Sequence, residues 1–152
     1  MISFATGEIQ RGYGIASGKT EDFRFPEGTL AMQIPYFKRA GFDLSGFFRG
    51  TLNVLFRDHQ FQLGQPSYYF PSVKWSPDFP AENFSFYSCI VQPGKDEQVY
   101  ESFVYWPHPS TKPDFVQDSR ILEILAPHLP GAHYGQQIIV SADPEIVDFS
   151  LL

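Results

Sequence analysis

A single, mainly β domain, built as a small antiparallel barrel of six or more strands with one or two short helices, is the architecture this sequence predicts. Three observations predict it. The chain has 152 residues, enough for one sizeable core and too few for two. Thirteen prolines and twelve glycines punctuate it so closely that long helices have little room. Half of all its phenylalanine, tyrosine and tryptophan residues fall between Phe61 and Trp106, a β-favouring concentration that predicts sheet and long loops there.

The elements follow in order. Ile2 to Arg11 reads as a strand closed by Gly12-Tyr13-Gly14, and residues 12–22 as a loop. Pro35 suits a first helical position and Gly41 a C-terminal cap, so one or two helical turns are expected over 35–40. Gly50 to Phe56 alternates, with Leu52, Val54 and Phe56 on one face and Thr51, Asn53 and Leu55 on the other; this is a strand whose second face is polar. Phe84 to Val91 and Tyr100 to Trp106 form a hairpin around the turn-like Gln92 to Asp96. Asp118-Ser119 stands ahead of an apolar stripe at Ile121, Leu122, Ile124 and Leu125, and Pro127 follows. That pattern predicts the second helix, over 119–126, with Glu123 on its solvent side. Gln136 to Ser141 is a late strand, so the barrel domain is drawn over 1–142 and residues 143–152 are read as a tail.

Composition narrows the function. Hydrophobic residues at 43% and charged residues at 18% exclude a disordered polyelectrolyte. A formal net charge of −6 argues against nucleic acid as the partner, since phosphate-backbone binders carry basic surfaces. One cysteine, Cys89, allows no internal disulfide and reads as a small core residue. There is no basic leader and no apolar run of about 18 residues, so the expectation is a soluble cytoplasmic protein without a membrane partner. The four histidines, His59, His108, His128 and His133, lack metal-ligand spacing.

Two features can carry chemistry. The glycine-bearing stretch Gly12 to Lys19 leaves backbone N–H groups unobstructed, which is what close approach to a phosphate requires. It is neither a Walker loop nor a Rossmann fingerprint, and the same residues suit a surface turn. Thr51 and Asn53 stand two apart on a strand, about 7 Å between Cα atoms, so one ion can touch both side chains. Two neutral oxygens do not hold Mg²⁺ alone, but they complete a shell supplied mainly by nucleotide phosphates and water. A plain polar strand face is the other reading.

In the same order, Gly7-Glu8-Ile9 leading into Gly12-Tyr13-Gly14, Gly41-Phe42 with Gly50-Thr51-Leu52-Asn53-Val54, and Ile121 to Pro127 resemble the CTP-dependent riboflavin kinases first recognised in archaea. The resemblance spans about 120 residues. It implies a cradle-loop β-barrel and transfer of phosphoryl from CTP to riboflavin, with Mg²⁺ as cofactor. It places nucleotide contacts on Gly12, Tyr13, Gly14, Ile15, Ala16 and Ser17, and on His128, Leu129, Pro130 and Gly131. Metal ligands fall on Thr51 and Asn53. Flavin contacts fall on Thr111 and Glu123, and Glu123 is the candidate catalytic residue. The chain departs from the family in its loop, where Ala16-Ser17 stands for a glutamate-glycine pair. Two rivals stay open: a non-catalytic flavin- or nucleotide-binding module on the same barrel, and a protein-interaction barrel without a small ligand.

Overall fold

The computed structural model describes residues 1–10, 29–94, 98–108 and 120–152. Gly12 to Ser17 and Thr111 lie outside them. Nine strands and one helix occur among the described residues, in the order β1 (Ser3–Gln10), α1 (Thr29–Arg39), β2 (Leu52–Leu55), β3 (His59–Leu63), β4 (Tyr68–Val73), β5 (Glu82–Gln92), β6 (Tyr100–Pro107), β7 (Ile121–Leu125), β8 (Gln137–Ala142) and β9 (Val147–Leu151). The large sheet runs β4-β5-β6-β7-β2-β1-β8, and a β5–β8 pairing closes six of those strands into an antiparallel barrel, with β4 as an extra strand. The mainly β barrel expected from proline, glycine and aromatic content is therefore the fold.

Each barrel strand turns alternate residues inward. Ala5, Ile9, Val54, Cys89, Val91, Leu122, Ile124 and Val140 fill the interior. Burial pushes the Cys89 thiol up to about 12, so it is an inert core residue as expected. A second core lies outside the barrel, where Leu30 and Phe37 of α1 meet Phe84, Phe86, Tyr105 and Leu125. The hairpin expected over 84–106 is β5–β6, in register from Phe84↔Pro107 to Val91↔Tyr100.

The helix expected over 119–126 is instead strand β7, paired along β2 from Leu52↔Ile124 to Leu55↔Ile121. Both faces of β7 are covered. Leu122 and Ile124 point into the barrel and Leu125 into the outer core, so the strand reads as an almost unbroken apolar run. Such a run mimics helical spacing, and its length of five residues leaves period alone unable to decide. Glu123 consequently sits on a strand, half-buried, and not on the solvent side of a helix.

The other expected helix exists but begins earlier, at Thr29, so that Pro35 lies inside it. Its buried stripe contains Leu30, Gln33 and Phe37, and the polar Gln33 at its centre broke the apolar pattern. The end is as read. Gly41 takes φ 98°, Gly41 N–H donates to Lys38 at 3.0 Å and Phe42 N–H to Phe37 at 2.9 Å, the paired bonds of a Schellman cap.

Residues 143–152 are part of the fold. They contain β9, which pairs with β3 from His59↔Leu151 to Leu63↔Val147, and Val147 and Phe149 enter the barrel core. Gly64 marks how closely this cover fits: a Cβ there would overlap the Glu145 carbonyl oxygen. Because that obstacle is backbone, Gly64→Ala is expected to destabilise the protein by about 1–3 kcal/mol, read as a lower urea midpoint. A midpoint within error of the wild type would show that this turn yields freely.

Candidate functional site

Three neighbouring strands bring the polar candidates together. The end of β1 lies beside the start of β2, with Gln10↔Asn53 in register, and Asn53 is in turn opposite Glu123 of β7. Since Ile9, Val54 and Leu122 point inward, alternation turns Gln10, Asn53 and Glu123 outward as one row. Thr51, just ahead of β2, joins it: its hydroxyl donates to Glu123 Oε1 at 3.1 Å. A hydroxyl has one proton and two lone pairs, so this bond leaves the Thr51 oxygen free to accept or ligate.

The row continues on β1. Gln10 Nε2 donates to Glu8 Oε1 at 2.9 Å, and Arg57 approaches Glu8 Oε2 at 3.4 Å. That ion pair is largely exposed and contributes little to stability; its effect is to orient the Glu8 carboxylate beside Gln10. Sequence reasoning did not single out Glu8 or Gln10 as site residues, although their outward alternation on β1 was available.

The connector from β7 to β8 passes the same end of the barrel. Gly135 N–H donates to Ile9 at 2.8 Å and Ile9 N–H to Gln136 at 2.9 Å, which ties the connector to the end of β1. Of the four candidates there, His128, Pro130 and Gly131 are exposed, while Leu129 is buried and packs in the barrel core. Gly131 has φ 75°, a turn conformation that suits glycine. Among the described residues no hydrogen bond joins His128–Gly131 to Thr51 or Asn53. The nearest link is through Phe48, whose amide donates to Ala126 at 3.0 Å. Phe48 and Arg49 are both exposed three and two residues ahead of Thr51, an aromatic ring and a cation the sequence reading passed over.

Behind Glu123 the site is anchored to the outer core. Buried Tyr105 donates its hydroxyl to Gln33 Oε1 at 2.6 Å. Burial first, then the charges of Glu123 and Glu82, push its phenol well above the ordinary tyrosine range, so it remains a neutral donor. Trp75 Nε1 donates to Glu82 Oε2 at 2.6 Å. Two carboxylates thus act on one buried phenol, whose bond to Gln33 ties α1 to the sheet.

Among the described residues there is no cluster of three or more histidine, cysteine, aspartate or glutamate side chains able to hold a metal. Thr51, Asn53 and Glu123 do offer a hydroxyl, an amide and a carboxylate, all hard oxygen donors of the kind magnesium prefers. No helix among the described residues is long and apolar enough to cross a membrane. Comparison of the chain with family models and with curated proteins finds no match in either.

Proposed function

We propose that the protein transfers the γ-phosphoryl group of CTP to the 5′-hydroxyl of riboflavin, giving FMN and CDP. The observation that carries this reading is the outward row Gln10, Asn53 and Glu123 with Thr51 bonded to Glu123. β1 delivers the chain to that row at Gln10, two residues before Gly12. The sequence resemblance supplies the substrates.

Positioning and charge neutralisation dominate phosphoryl transfer. Thr51 and Asn53 are the residues that would hold Mg²⁺, and the ion would supply charge neutralisation at the nucleotide phosphates. Glu123 Oε1, oriented by the Thr51 hydroxyl, receives the riboflavin 5′-hydroxyl proton as that oxygen bonds to the γ-phosphorus and the bond to the β–γ bridging oxygen breaks. Glu123 then returns the proton to solvent. Arg49 and backbone N–H groups of Gly12 to Ser17 are the counter-charges and donors for the phosphates, and the exposed Phe48 ring offers a stacking surface.

The Ala16-Ser17 departure in the glycine loop favours a second reading, a binding module that holds nucleotide or flavin without turnover. Calorimetric titration with CTP, ATP and riboflavin, each with and without Mg²⁺, followed by chromatography for FMN, separates the two. The kinase reading expects Mg²⁺-dependent CTP binding, riboflavin binding and FMN formation. Binding of both ligands without FMN leaves the module, and binding of neither removes both readings.

A further inference from the structure

β4 and β8 lie along the same side of β5 but end to end: Tyr68 of β4 is opposite Phe86, and Ser141 of β8 is opposite Ile90. Between them, at Ser88, β5 changes neighbour, and the Ser88 amide is taken by the Ser67 hydroxyl at 3.0 Å. The strands part there over a cleft of about 570 Å³, a volume in the range of small-molecule sites. None of Thr51, Asn53 and Glu123 lines it.

Its wall is aromatic. Phe42 stacks on Tyr68 with ring centroids 4.1 Å apart, and Phe103 meets Phe42 edge-on at 5.0 Å. Tyr68 keeps 41% of its surface exposed at the mouth. Among the described residues, every charged residue lining the cleft is acidic: Asp43 from the loop after α1, Glu101 from β6 and Asp143 after β8. All three are exposed. The Ser45 amide beside Asp43 holds that carboxyl below its ordinary range, so it stays ionised. Among the described residues no lysine, arginine or histidine lines the cleft to neutralise the three carboxylates, and the chain as a whole carries a net charge of −6.

We infer that this cleft binds a small organic cation, an amine or guanidinium carried on an apolar body. The body lies on the Tyr68, Phe42 and Phe103 wall, where a cation beside ring faces gains further attraction. The charged head meets Glu101 and Asp143 at the rim. An anion is repelled by the same rim, and a neutral molecule of the same shape gains only the apolar contact.

Titration of ¹⁵N-labelled protein with phenethylamine, phenethyl alcohol and phenylacetate tests this, since the three share a ring and differ in charge. Phenethylamine should shift the amide resonances of Phe42, Tyr68, Ser88 and Phe103 and bind at least about tenfold more tightly than the alcohol, a difference of roughly 1.4 kcal/mol. Phenylacetate should shift none of them. The double variant Glu101→Gln/Asp143→Asn removes two of the three charges while keeping one side-chain oxygen at each position and the volume, so it should bring the amine close to the affinity of the alcohol while leaving the alcohol unchanged. Equal affinity for amine and alcohol, amine shifts mapping elsewhere, or no shift up to about 10 mM amine would each overturn the inference. None of these outcomes bears on the proposed kinase site.

Discussion

Asn53→Ala is expected to lower FMN formation by roughly a hundredfold or more, because charge stabilisation of the transferring phosphoryl is commonly the largest catalytic contribution. The same change should weaken CTP binding chiefly when Mg²⁺ is present and leave riboflavin affinity nearly unaltered. Asn53 lies half-buried on the outer face of β2, so its truncation should lower stability by only around 1 kcal/mol, far too little to unfold a substantial fraction. Titration calorimetry and single-turnover chromatography read both arms. Equal losses for CTP and riboflavin, or CTP binding indifferent to Mg²⁺ in the wild type, would remove the reason for reading Asn53 as a metal ligand.

Phe37→Ala should produce the largest loss of stability, about 3–5 kcal/mol. The ring is fully buried and sits with centroids 5.3, 5.2 and 5.0 Å from Phe70, Phe84 and Phe86. Removing it leaves a cavity between two rigid elements, α1 and the β4–β6 sheet, where little can move in to fill it. Tyr36, one residue earlier, is exposed beneath Arg39 at 4.5 Å, and Tyr36→Ala should stay within about 0.5 kcal/mol. Urea unfolding of the pair checks the contrast. A Phe37→Ala loss below about 1.5 kcal/mol would mean that the outer core contributes little to holding the helix.

Much of this architecture was legible because its signals are local. The Gly50–Phe56 alternation, the β5–β6 hairpin and the Gly41 cap each depend on residues close in sequence. What escaped depends on distant partners. Ile121–Leu125 looked helical because α1, some ninety residues earlier, covers the outer face that a solvent-facing strand would mark with polar residues. Gln33 hid the first half of α1 because its acceptor role is intelligible only once Tyr105 is placed beneath it. Residues 143–152 had no evident place until β3 appeared as the partner of β9. At the site, Thr51 and Asn53 were visible as a pair on one strand, and their meeting with Glu123 follows only from β2–β7 register. Gln10, Phe48 and Arg49 carry no motif of their own and, like Glu8 within Gly7-Glu8-Ile9, become candidates through the neighbours they are given.

The order in which the barrel strands pair also sets a timetable. β1 and β2 are complete once residue 55 exists, yet β1 closes against β8 from Ser3↔Ala142 to Glu8↔Gln137 and β2 against β7. At a synthesis rate of about 5–20 residues per second, the free edge of β1 waits roughly 4–17 s for β8. The β1–β2 pair and the β4–β5–β6 meander can form as they emerge. The nascent chain therefore passes through a period in which its aromatic half is a sheet and the β1–β2 pair still lacks β7 and β8 on its two edges, a window in which chaperone binding or wrong pairing competes with closure.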